Sequence, residues 1–273
     1  MCYSPLSSMI KNEMLTNMQQ PILYEFPLNE RMRNFMRLEN YFSQINYFSH
    51  HNSTWDSQAS LLVLIEILNI VDRNDIKSEL TKELERNIGS LNNLLDAPAV
   101  DSNRLQQTLD DLHTQLHAIQ HITGKASRTL REDDLLNSIR QRVAICSSIN
   151  SFDIPGFYYW LHQPIQVRQQ QIQLWLDELL PIDSGINLLN NLLRDSAVFD
   201  AQIAEAGFYQ KSLNPQQACQ MVRIQLPSDS TSFPETSGSK HRINLRFLSY
   251  ESSNQRPTQV TSNVEFNISY CSI

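Results

Sequence analysis

Glycine is scarce, with six in 273 residues. Glycine-rich phosphate loops are missing too: neither G-x-G-x-x-G nor G-x-x-x-x-G-K-[ST] occurs, so a nucleotide-binding enzyme is not expected. There is no G-x-S-x-G elbow, and no nucleophile–base pairing stands out. Cysteine is limited to Cys2, Cys146, Cys219 and Cys271, with wide, irregular spacing and no C-x-x-C pair. In a chain of this length that pattern predicts reduced thiols in the cytosol, not a disulfide framework. Charged residues make up 19%, with a formal net charge of -7. Net acidity repels nucleic acid, and no aromatic-rich stacking strand accompanies the basic residues. No segment is expected to reach the roughly 18 apolar residues of a membrane span. The N-terminus lacks the basic start and apolar run of a secretory signal. Residues 1–20 read as a polar, poorly ordered extension, and Met18 is an alternative start to Met1.

Apolar residues make up 41%, enough for a real core. Leu28, Met32, Phe35, Leu38, Phe42 and Ile45 recur at helical spacing, with Asn29 placed to cap. Ser53-Thr54-Trp55-Asp56 resembles a capping box, and Ala59 to Val71 is apolar almost all round, as in the central helix of a bundle. Ile76 to Leu94 carries a third stripe, closed by Asp96-Ala97-Pro98. Leu105, Leu109, Leu112, Leu116 and Ile119 form a two-heptad seam, readable as a dimer coiled coil or as an ordinary bundle helix. Thr123-Gly124 breaks the pattern. Helical spacing returns at Leu130–Val143, Ile165–Leu180 and Ile186–Phe199, with a loop at Ser147–Pro155.

After about residue 200 the period becomes two. Val222, Ile224 and Leu226 alternate with polar residues, as do Ile243, Leu245 and Phe247, and Val264, Phe266, Ile268 and Tyr270. These predict half-buried antiparallel strands joined by polar loops at Pro227–Ser239 and Ser252–Ser262. Ile22, Tyr24 and Phe26 alternate as well. A lone strand among helices would leave its backbone groups unpaired, so residues 21–27 are expected to join the C-terminal sheet. The fold class is α+β: a mainly α-helical domain over 28–200 and a small antiparallel β-sheet domain over 201–273.

His113, His117 and His121 fall four apart on one helix, a spacing that can chelate a metal. The competing reading is a solvated face opposite the leucine seam; a hydrolase or metal-dependent enzyme using these histidines is the alternative functional class. Carboxylate clusters at Asp110-Asp111, Glu132-Asp133-Asp134 and Asp177-Glu178 read as surface charge. The basic residues are more informative. Arg33 and Arg37 lie one turn apart off the apolar stripe, with Glu30 three residues before Arg33. Lys240, Arg242, Asn244 and Arg246 are spaced by two, which puts all four on the strand face opposite Ile243, Leu245 and Phe247. Arg223 has the same outward alternation. Such a face is either ordinary solvation or a dock for an acidic peptide, since arginine forks grip carboxylates.

Several segments, in order, resemble the ZapD family: ILYEFPLNERMRNFMRLE at Ile22–Glu39, LREDDLLNSIRQR at Leu130–Arg142, SFDIPGFYYWLH at Ser151–His162, GFYQ at Gly207–Gln210 and SGSKHRINLRF at Ser237–Phe247. The resemblance implies a cytoplasmic, non-enzymatic homodimer without cofactor or metal. It implies direct binding to the C-terminal tail of FtsZ, cross-linking and bundling of FtsZ protofilaments, and support of Z-ring assembly at mid-cell. No nucleic acid or membrane insertion is implied. By position, Arg37, Arg242 and Arg246 are the tail-contact candidates, with Arg33, Arg131 and Lys240 second. Asp134 stands where relatives can carry arginine, and Tyr158 where they can carry histidine, so two potential positive charges are lost.

Overall fold

A computed structural model describes residues 20–95, 100–122, 128–145, 152–214, 219–250 and 255–272. The polar N-terminal extension up to residue 19, Cys2, Cys146, Asp96–Pro98, Thr123–Gly124 and loop residues 147–151 and 252–254 lie outside the described residues. The architecture is α+β. In chain order it runs β1 (Ile22–Pro27), α1 (Glu30–Ser49), α2 (Thr54–Arg73), α3 (Ile76–Asn92), α4 (Ser102–His121), α5 (Arg128–Glu132), α6 (Asp134–Ile145), α7 (Pro155–Leu161), α8 (Ile165–Asp177) and α9 (Leu180–Asp195). It continues as β2 (Asp200–Ala204), β3 (Phe208–Ser212), β4 (Met221–Leu226), β5 (Phe233–Ser239), β6 (Arg242–Ser249), β7 (Thr258–Gln259) and β8 (Val264–Cys271). The chain forms two compact units. One is Asn34–Leu192; the other joins the chain up to Arg33 with Leu193 onward.

In the helical unit, sequence caps decide where helices start. Ser53 Oγ accepts from the Asp56 amide at 3.0 Å and Asp56 Oδ2 accepts from the Ser53 amide at 3.0 Å, a reciprocal capping box. Asp75 and Asp101 cap α3 and α4 one way only, their carboxylates accepting from the Ser78 amide and from the Asn103 and Arg104 amides. Along α1, Phe35, Leu38, Phe42 and Ile45 are buried. Each buried side chain of this size contributes about 1.5–3 kcal/mol. By length and composition α2 meets the requirement for crossing a membrane, contrary to the expectation that no segment does. Its apolar residues serve a core, because Leu61, Leu64, Ile65, Ile67 and Leu68 are all buried. The α4 seam is buried at Leu105, Leu109, Leu112 and Ile119, and α4 packs on α3 of the same chain.

Several helices differ from their sequence reading: α7 has no helical reading, and α8 ends at Asp177 and not at Leu180. Leu130–Val143 is broken at Asp133, whose Oδ1 caps α6 by accepting from the Leu136 amide at 2.9 Å. The pattern read as Ile186–Phe199 begins six residues earlier, at Leu180, and stops at Asp195. Pro181 is the second residue of this helix, in the first turn, where proline is tolerated.

The other unit contains two antiparallel sheets. The first has the order β1-β4-β8-β2; in the second, β6 lies between β5 on one side and β3 and β7 on the other. Strand β1 pairs β4 with Ile22 opposite Leu226 and Pro27 opposite Met221. Inward residues of both sheets, including Val222, Ile224, Phe266 and Ile268 from one and Ile243, Leu245 and Phe247 from the other, share one buried cluster. The sheets therefore pack face to face. Pro227–Ser239, expected to be loop, contains β5. Its composition is polar because one side faces water, and its pairing with β6 overrides weak strand propensity.

Candidate functional site: a cationic strand face

Strand β6 buries Ile243, Leu245 and Phe247 completely, which turns Arg242, Asn244 and Arg246 outward. The register arranges this outer face in three rows across three strands. Phe208, Arg246 and Glu235 form one row; Gln210, Asn244 and Ser237 the next; Ser212, Arg242 and Ser239 the third. Together with Thr236, several of these side chains line a shallow groove of about 520 Å³. Arg246 forms an ion pair with Glu235, and both side chains are about half exposed, at 56% and 52%. Arg242 has serines on either side and no ion pair among the described residues. Asn244 Oδ1 is buried and has no hydrogen-bond partner among the described residues. Lys240 is exposed in the β5–β6 turn, outside the strand. Phe208 brings an exposed aromatic ring to the Arg246 end.

The other sequence candidates have different surroundings. Arg33 pairs with Glu30 at 3.3 Å on the first turns of α1. Arg37 is exposed on α1, within the helical unit. Arg131 is committed inside the helical unit. Its Nε donates to Asp72 Oδ1 at 2.7 Å, and Arg140 Nη1 donates to Asp72 Oδ2 at 2.8 Å. Around this fork, Asp133 Oδ2 accepts from Trp175 Nε1 at 3.0 Å, and Arg142 pairs with Asp153. The block LREDDLLNSIRQR thus ties α5 and α6 to α2 and α8. Asp134 is exposed in the first turn of α6, where the helix dipole favours a carboxylate. Tyr158 is exposed on α7, its ring 4.3 Å from that of His162.

Arg223 keeps its alternation with buried Val222 and Ile224, but its charge is already engaged. Its guanidinium lies 3.1 Å from Glu25, which also takes Arg194 Nε and Nη2 at 2.9 and 2.8 Å, and it covers the Phe199 ring. A shared carboxylate and an aromatic lid absorb that charge. His121 Nδ1 lies 2.8 Å from the His117 carbonyl, and no group of three or more His, Cys, Asp or Glu side chains is placed to hold a metal among the described residues. A second hollow, of about 560 Å³ in the helical unit, is lined by Glu39, Asp177 and Asp183. Burial, with help from Glu39, pushes the Asp183 carboxyl up. That acidic lining has the wrong sign for an acidic ligand.

Sequence reasoning missed Glu235 and Phe208 as members of the face. Their membership depends on which residues of β3 and β5 stand beside Arg246, and register between strands leaves no local mark.

Fold and site define a two-unit α+β protein that displays a cationic strand face. The family model described as ZapD, cell division protein, matches residues 36–246. Over 254 residues the chain is 41% identical to Cell division protein ZapD of Methylococcus capsulatus, covering 93% of this chain and 99% of that protein. It is 34% identical over 253 residues to Cell division protein ZapD of Nitrosomonas eutropha, covering 92% and 100%. It is 33% identical over 253 residues to that of Coxiella burnetii, covering 92% and 98%. The chain belongs to the ZapD family of cell division proteins, and its role is in cell division.

Proposed function

We propose that this chain is a non-enzymatic cytoplasmic factor that binds FtsZ directly through the FtsZ C-terminal tail, cross-links and bundles FtsZ protofilaments, and promotes Z-ring assembly at mid-cell. The observation that carries the reading is the outer face of β6. In a chain with net charge -7, Arg242 and Arg246 stand together on an exposed groove, and Lys240 is exposed one turn away. Guanidinium forks there suit carboxylates of an extended tail. Arg37 is a separate contact from the helical unit. Arg33 and Arg131 contribute less, because Glu30 and Asp72 already neutralise them.

Bundling then follows from valency. One site would only decorate a filament, whereas a homodimer presents two equivalent sites and can hold two filaments. Tails repeat along each filament, so weak single contacts add by avidity. The test is co-sedimentation with FtsZ of the same organism, with and without its C-terminal tail. Bundles should form with the full-length partner, and removing the tail should abolish them. Raising salt from about 0.05 to 0.5 M should reduce the pelleted fraction steeply, since exposed charge contacts are screened. Bundles that are equally abundant without the tail overturn the proposal.

A further inference from the structure

We propose that Glu235 is a built-in competitor for the ligand's carboxylate: it occupies the fork of Arg246, holds the affinity of each contact down, and makes Arg242 the entry point. The inference rests on the tail-binding reading above and deepens it. Two arginines share the outer face of β6, four residues apart, yet their neighbours differ. Arg242 stands between Ser212 and Ser239, which offer hydroxyls only. Arg246 stands between Phe208 and Glu235 and pairs with the carboxylate. One cation is open and the other already holds what a ligand would bring.

The ligand chemistry follows from the spacing. Four residues of strand span about 13 Å. An extended peptide laid along β6 turns every second side chain to the same side, so two carboxylates four residues apart reach both guanidinium groups. An apolar side chain near the second carboxylate meets the exposed Phe208 ring. Glu235 imitates that second carboxylate from within the chain. Because the Arg246–Glu235 pair is half exposed on both sides, it is weak and readily exchanged. An incoming acidic peptide replaces Glu235 without unfolding anything. The device keeps single contacts reversible while leaving avidity to hold a bundle.

The experiment is fluorescence anisotropy of the full chain with a labelled FtsZ C-terminal tail peptide. Glu235→Gln should tighten binding about two- to fivefold, the range expected for release of a surface pair. In an Arg246→Gln background the same change should give no gain. Glu265→Gln, exposed on β8, removes the same charge elsewhere and should change affinity less than about 1.5-fold. A gain that persists without Arg246, or one matched by Glu265→Gln, overturns the competitor. Arg242→Glu separates the two ideas. If it weakens binding and Glu235→Gln gives no gain, the tail site stands and the competitor falls. If Arg242→Glu leaves binding unchanged, both fall.

Discussion

At Gly207 the backbone turns with φ of +68°, after Ala206 at +49°, in the three-residue link from β2 to β3. A Cβ there would lie 2.4 Å from the Val260 carbonyl oxygen. The Gly207 carbonyl also accepts from the Phe247 amide at 2.8 Å, which ties the turn to the buried side of β6. Gly207→Ala should therefore cost at least about 1–2 kcal/mol, read as a lowered thermal midpoint, because neither strain nor clash can relax alone. Cys219 tests burial through pH. Burial first, and the nearby Cys271 thiol second, push its pKa from 9.0 up to about 11. The unfolded chain gives up this proton first, so the thiol's stabilisation is complete below pH 9 and is lost as pH rises through about 11. Replacing Cys219 with alanine should flatten the alkaline fall in denaturant midpoint over that window.

Among elements, the clearest contrast lies between two arginine-bearing segments. In α5 and α6, Arg131 and Arg140 converge on Asp72 of α2 and stitch three helices. Asp72→Asn leaves two partly buried guanidinium groups without their carboxylate and should destabilise the fold by about 1–3 kcal/mol in urea unfolding. In β6, Arg242→Glu should leave the melt within about 0.5 kcal/mol while weakening tail binding. Both segments look alike in sequence, as cations beside apolar positions. Periodicity was enough to identify β4, β6 and β8 and the apolar stripes of α1, α2 and α4, since burial imposes those patterns directly. It did not reveal β5, whose seven residues have little apolar content, or the break at Asp133, where a side-chain cap replaces a helical turn. Nor did it distinguish an arginine tied to Asp72 from one facing water. That distinction depends on residues 59 positions away, beyond the reach of any local pattern.

For the whole molecule, the cationic face belongs to one unit and the half-buried arginine fork on Asp72 to the other. A loss of stability in the helical unit and a loss of the proposed tail binding on the β unit should therefore be separable by mutation, with a melt identifying variants that confuse them. The buried Arg168 extends the point. It is 5% exposed and donates to neutral acceptors, among them Ser57 Oγ at 2.6 Å and the Gln163 carbonyl at 3.2 Å. Arg168→Leu strands those acceptors and should lower stability by about 1–3 kcal/mol without touching tail affinity measured below the melt.

The pairing of β1 with β4 joins positions 204 residues apart, Ile22 with Leu226. A ribosome releases the first of these long before the second exists. The earliest strand of the nascent polypeptide must wait, unpaired, through the synthesis of every helix. A product that ends before β4 therefore carries an unpaired β1, and translation errors of this kind yield substrates for chaperones and proteases.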